Sequence, residues 1–267
     1  FRRVLFRSGL MSKNCAHWVI ADIAMILSGL VSVPIYPTAN ARTVGQVLDH
    51  SGAKACIVGK LEQPEMQLAG VPDEVVSIAM PYPGAEARHA WDDLVERPAA
   101  GFEIHPAGEN DLATLLYTSG STGEPKGAMH SFAAFAFVGD SLARAIGVRA
   151  GDRILSYLPL SHCTERAYVE ASSFYAGSTL YFVESLDTFA EDLAYARPTL
   201  FGSVPRLWKK FQLGVLENLP QNKLDTVLKI PLLAWFVRRR IQRELGLDAA
   251  DWFASGSAPL APVLLDW

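Results

Sequence analysis

Four hydroxyl side chains and one lysine stand within nine positions of YTSGSTGEPKG, residues 117–127: Thr118, Ser119, Ser121, Thr122 and Lys126. Gly120 and Gly123 lie between them, and Gly127 follows. Glycine lets a backbone approach a ligand closely and adopt positive φ. Successive N–H groups of such a loop can wrap phosphate oxygens, and hydroxyls add donors or metal contacts. A lysine adds one mobile positive charge. The stretch is not a Walker A loop, because Lys126 is followed by Gly127 rather than by Ser or Thr. It is not a Rossmann fingerprint either, because no two of its glycines are two apart. Phosphate binding is the chemistry this composition suits. A plain surface loop is the competing reading, since Gly, Ser and Thr gather in turns.

Further candidates lie downstream. YLPLSHCTER, residues 157–166, holds His162, Glu165 and Arg166. His162, taken alone, reads as a satisfied structural histidine. Glu165 and Arg166 read as an exposed pair or, preferably, as structural. Arg238, Arg239, Arg240 and Arg243 form a basic run. A solvated helix face is the plain account of it, and a peripheral membrane contact with anionic lipid the sharper alternative. Trp18, Trp208 and Trp235 are expected in the core rather than in ligand cages.

These residues need a scaffold, and the chain supplies an alternating one. Strands are expected in VSVPIYP (31–37), AKACIVG (53–59), LATLLYTS (112–119), RILSYLPLSH (153–162), STLYFVE (178–184), TLFGSVP (199–205) and DWFASGS (251–257). Helices are expected between them: in TVGQVLDHSG, ending near Gly52; in SFAAFAFVGDSLARAIG, capped by Ser131; in TFAEDLAYARP; in a helix opened by Pro205; and in LLAWFVRRRIQRELG. Residues 60–110 read as a loop-laden connection. Strands alternating with helices predict an α/β fold with largely parallel sheets. Residues 18–36 form the most apolar window. Val19, Ile20, Ile23, Ile26, Leu27 and Leu30 recur there at helical spacing, and Asp22 is expected off their face. Gly29 stops that helix, and a transmembrane span is disfavoured by Asp22.

Composition sets the outer limits. The chain has 267 residues, half of them hydrophobic and 19% charged, which suits a packed core. A net charge of -4 excludes a bulk basic field for nucleic acid. Cys15, Cys56 and Cys163 form no metal or disulfide pattern, which fits a reducing cytoplasm. The first eight residues, FRRVLFRS, resemble a translated sequencing adapter, so residues 1–8 are expected to make no specific packing contacts.

The order of residues in YTSGSTGEPKG resembles the signature loop of the adenylate-forming (AMP-binding) superfamily, which joins carboxylic acids to AMP. VSVPIYPT (31–38), HSGAKACIVG (50–59), YLPLSHCTER (157–166), RPTLFGSVPRLWKKF (197–211) and LGLDAADWFASGSAPLAP (245–262) resemble the same superfamily in the same order, in the form of its long-chain fatty acyl-CoA synthetases. Residue 132 is Phe where many relatives have His. The resemblance implies an incomplete, large N-terminal domain over residues 9–267, with mostly parallel sheets flanked by helices. The family's Y-G-x-T-E segment, ribose-binding Asp and C-terminal lid have no counterpart before Trp267.

The resemblance also implies ATP, Mg²⁺ and coenzyme A as reaction partners of a fatty acid. Thr118 would help hold Mg²⁺. Ser119, Gly120, Ser121, Thr122 and Gly123 would wrap the phosphates, with Lys126 adding charge and His162 standing near the reacting carboxylate. Gly256, Ser257, Ala258 and Pro259 would line the adenine and acyl pocket. The alternatives are an adenylating ligase for an aryl or amino acid and a non-catalytic nucleotide-binding remnant.

Overall fold

The computed structural model describes residues 6–98, 101–119 and 125–267. They divide into two compact units, Phe1–Ala145 with Tyr157–Tyr175 and Ile146–Ser156 with Ala176–Trp267.

The first unit is built on a seven-stranded sheet. Its strands are β1 (Arg7–Met11), β2 (Val31–Ile35), β3 (Ala55–Val58), β4 (Val76–Ala79), β5 (His89–Ala90), β6 (Leu112–Ser119) and β7 (Pro125–Ser131). The spatial order is β5-β4-β3-β1-β2-β6-β7. Every pair is parallel except β6 with β7. Parallel neighbours require crossovers, which is why helices separate the strands. They are α1 (Ala16–Leu27), α2 (Ala41–Ser51), and the short α3 (Pro64–Leu68) and α4 (Trp91–Val95). Val31, Val33 and Ile35 of β2 bury against Val44, Val47 and Leu48 of α2, with Leu115 and Tyr117 of β6 in the same core. Asn40 opens α2 by accepting the Thr43 N–H, and Gly52 closes it in the left-handed region at φ 66°.

The long α5 (Phe132–Ile146) follows β7, and the Ser131 hydroxyl accepts the Ala134 N–H as expected of its cap. The remainder of this unit is α6 (Cys163–Glu165), which runs through a π-helical turn (Arg166–Ala171) into α7 (Ser172–Ala176).

The second unit carries a four-stranded, all-parallel sheet of β8 (Arg153–Ser156), β9 (Thr179–Phe182), β10 (Leu200–Ser203) and β11 (Trp252–Ser255), in the order β11-β10-β8-β9. Its helices are α8 (Phe189–Ala196), α9 (Pro205–Asn218), α10 (Gln221–Leu228), α11 (Pro231–Glu244) and α12 (Pro262–Asp266). Phe201, 1% exposed, packs edge-on against Trp208 of α9. Among the described residues no helix is long and apolar enough to cross a membrane.

Four expectations need correction. Arg7 and Ser8 do pack: both lie in β1, Ser8 is buried, and an Arg7 guanidinium N–H donates to the Ser51 carbonyl at 2.6 Å. Residues 1–5 lie outside the described residues. The strand expected over 153–162 ends at Ser156, because the following segment is held by side chains rather than by a neighbouring strand. The buried face of α1 is Trp18, Val19, Ala21, Asp22 and Met25, whereas Ile20 is 51% exposed. Trp235 is 57% exposed and so not core, although Trp18 is fully buried.

Candidate functional site

Thr118 and Ser119 end β6, and Pro125 and Lys126 begin β7. The expected loop over 118–126 is therefore shorter, and its two ends are paired strands. Thr118 stands opposite Lys126, and Tyr117 opposite Gly127. Residues directly opposite in an antiparallel pair share a face, so Thr118 and Lys126 project to the same side. Both are exposed. Gly120, Ser121, Thr122 and Gly123 lie outside the described residues. β7 takes an edge position, where a strand tolerates a proline at its first residue.

The base of this hairpin is fixed from α2. Tyr117 is buried, and its hydroxyl shares a 2.8 Å hydrogen bond with His50 Nδ1. Its ring covers Gly127 so closely that a Cβ there would stand 3.0 Å from the Tyr117 Cζ. That contact explains the glycine after Lys126.

A cavity of about 480 Å³ opens beside the hairpin, within the first unit. Its lining includes Tyr117, Thr118 and Pro125 of the hairpin, together with Tyr36, Thr38, Gln46 and His162. The structure thus brings together Thr118 and His162, which are 44 positions apart in the chain. Tyr36, Thr38 and Gln46 were not singled out from sequence; no spacing relates them to the glycine-rich stretch. Burial raises the phenols of Tyr36 and Tyr117 above their ordinary value, and nearby Cys163 adds to the rise at Tyr36. Both therefore remain neutral hydrogen-bonding groups at neutral pH.

His162 precedes α6. Its Nδ1 accepts the Thr164 N–H at 3.1 Å, and its carbonyl accepts the Arg166 N–H at 3.2 Å. Glu165 and Arg166 are not an exposed pair, since each is 2% exposed. A Glu165 carboxylate oxygen accepts the Tyr157 N–H at 2.9 Å. The Arg166 guanidinium lies between the Trp18 and Phe135 rings, 5.3 and 5.2 Å from their centroids, and pairs with Asp22. The structural role preferred for both residues is the one they fill.

Gly256, Ser257, Ala258 and Pro259 belong to the second unit, directly after β11, and all four are exposed. The Gly256 N–H donates to the Ser203 carbonyl at 3.0 Å, and Ser257 adopts φ 66°, uncommon outside glycine. Arg238, Arg239, Arg240 and Arg243 are all exposed on α11. Among the described residues no three His, Cys, Asp or Glu side chains converge to hold a metal ion.

This fold is that of adenylate-forming enzyme domains. The profile of the AMP-binding enzyme family matches residues 7–267, and the chain belongs to that family. Fatty acyl-CoA synthetase A of Dictyostelium discoideum is 30% identical over 294 residues, covering 98% of this chain and 44% of that protein. Long-chain-fatty-acid–CoA ligase ACSBG2 of Rattus norvegicus is 27% identical, covering 95% of this chain and 45% of that protein. The chain thus spans somewhat under half the length of these relatives.

Among solved structures, the adenylation domain of the Segniliparus rugosus carboxylic acid reductase, in complex with AMP and a co-purified carboxylic acid, superposes with a TM-score of 0.75 at 22% identity. It is covered over 46% of its chain, and this chain over 97%. A long-chain-fatty-acid-CoA ligase (FadD1) from Archaeoglobus fulgidus gives a TM-score of 0.70 at 19% identity, with 98% of this chain and 47% of that one covered. At these identities the structures show a shared fold.

Proposed function

We propose that this chain carries the phosphate-gripping part of a ligase that activates a long-chain fatty acid with MgATP and passes the acyl group to coenzyme A. The carrying observation is that Thr118 and His162 line one cavity beside the β6–β7 hairpin. Support for the fatty acid comes from the names of the sequence relatives, Fatty acyl-CoA synthetase A and Long-chain-fatty-acid–CoA ligase ACSBG2.

In this reading a carboxylate oxygen attacks the α-phosphorus of ATP, pyrophosphate leaves, and an acyl-AMP forms. The thiolate of coenzyme A then attacks the acyl carbon and AMP leaves. Little covalent chemistry falls to the protein; its work is positioning and charge neutralisation. Lys126, exposed opposite Thr118, supplies positive charge to the polyphosphate. Ser119, Gly120, Ser121, Thr122 and Gly123 supply loop N–H and hydroxyl donors. The Thr118 hydroxyl at the cavity wall would contact the magnesium that arrives with the nucleotide. His162 holds the acid's reacting oxygen at the cavity. Gly256, Ser257, Ala258 and Pro259 line the adenine and acyl pocket.

Incubation of the protein, extended to the length of its relatives, with MgATP, coenzyme A and a mixed panel of acids tests this reading by mass spectrometry of the thioesters. Long-chain acyl-CoA is the expected product. Aryl-CoA or aminoacyl products alone would move the assignment to another acid, and no thioester with any acid would leave a nucleotide-binding remnant.

A further inference from the structure

We propose that Asn14 is a positioning residue for His162, acting by strapping the segment that carries it. The proposal rests on the reading of His162 given above as the residue beside the reacting carboxylate. It starts from residues 158–160, which lack strand pairing and in which Pro159 has no N–H to offer. One side chain replaces that pairing. The Asn14 amide nitrogen donates to the Leu158 carbonyl at 2.6 Å, and its oxygen accepts the Leu160 N–H at 3.0 Å. Only a primary amide of this length offers a donor and an acceptor so disposed. Asn14 is 7% exposed, so water does not readily take its place.

His162 follows directly, its N–H donating to the Pro159 carbonyl at 2.8 Å. On its other side Arg166 is tied to Asp22. His162 is therefore held between two anchors, and both come from one short stretch, Asn14 after β1 and Asp22 on α1. The orientation has a chemical consequence. Nδ1 is engaged as the acceptor of the Thr164 N–H, so in the neutral ring the proton sits on Nε2. His162 then offers the cavity a hydrogen-bond donor, which suits an anionic oxygen.

Histidine ¹⁵N shifts and amide hydrogen exchange in this chain test the strap. In the wild type His162 should show the Nε2–H tautomer, with the Leu160 and Thr164 amides protected. In Asn14→Ala both amides should exchange about ten-fold faster, as loss of one hydrogen bond allows, and the His162 signal should shift toward a tautomer mixture. Asn14→Asp keeps the acceptor for Leu160 and loses the donor to Leu158. It should give a smaller change in the same direction, and it carries the test if Asn14→Ala fails to fold. Unchanged His162 shifts and Thr164 exchange in a folded variant would overturn the proposal.

The role of His162 is tested separately, by pyrophosphate exchange in protein extended to the length of the relatives. There Asn14→Ala should lower kcat with little change in KM for ATP, and adding it to His162→Ala should cost nothing further. Exchange undiminished in His162→Ala would remove the catalytic reading of His162 and leave the strap standing. Undiminished exchange in Asn14→Ala, with His162→Ala impaired, would overturn the positioning role.

Discussion

Arg166 grips Asp22 with two hydrogen bonds, Nη1 to Oδ1 at 3.0 Å and Nη2 to Oδ2 at 2.8 Å, between residues 144 positions apart. Asp22 is fully buried and also accepts the Ser32 hydroxyl at 2.5 Å. This pair ties α1 and β2 to the helix that follows His162. Removing Asp22 leaves the buried Arg166 with only the more loosely placed Glu170 as a counter-charge. Asp22→Ala is therefore expected to cost about 3–5 kcal/mol of stability. Urea unfolding of both proteins measures it.

Glu170 completes the cluster, with Oε2 3.3 Å from Arg166 Nε. Neither of its carboxylate oxygens finds a hydrogen-bond partner among the described residues. Burial raises its pKa well above the ordinary value, against the lowering pull of Arg166. The folded state thus binds a proton that the unfolded state releases. The stability contributed by Glu170 is full below the unfolded pKa and is lost as pH rises toward the folded one. Glu170→Gln, which keeps the shape without the proton, should match the wild type in acid and become the more stable protein as pH climbs to neutral. A series of Tm measurements from pH 4 to 8 shows it; a widening advantage for the wild type at high pH would contradict it.

Gly127→Ala forces a methyl group against the Tyr117 ring, 3.0 Å from Cζ. The loss expected is about 1–3 kcal/mol, the usual range for overpacking. Tyr117→Phe removes only the bond to His50 and should cost about 1 kcal/mol. Thermal denaturation of the two variants ranks them, with Gly127→Ala the less stable.

Much of this architecture was legible in the sequence, and the exceptions share a cause. LATLLYTS gave β6 its bounds, and Gly52 and Ser131 marked helix ends, because caps and apolar runs are local signals. α1 is apolar nearly all round its circumference, so periodicity could not choose its buried face. The partner that buries Asp22 arrives far later in the chain. β7 begins with Pro125 and contains Gly127, both poor strand formers, and forms because β6 offers a free edge. At the site, composition singled out Thr118 and Lys126, and the family resemblance His162. It could not show that Thr118 and His162 share a cavity with Tyr36, Thr38 and Gln46, because that follows from the parallel order of β2 and β6.

Lys126 and Thr118 should fail differently in protein extended to the length of its relatives. In the function proposed above, Lys126→Ala would remove charge that meets the polyphosphate in ground and transition states alike, so KM for ATP should rise with kcat little changed. In the same reading Thr118→Ala would remove a contact that matters most as charge moves onto the leaving pyrophosphate, so kcat should fall about ten-fold or more. Steady-state kinetics separates the two patterns.

The most direct measurement is acid-dependent exchange of labelled pyrophosphate into ATP, because it reports acyl-AMP formation without coenzyme A. In protein extended to the length of its relatives, palmitate-like acids should drive exchange, while benzoate and amino acids should not, and Thr118→Ala and His162→Ala should each suppress it. Exchange driven by no carboxylic acid, or undiminished in both variants, would contradict the account.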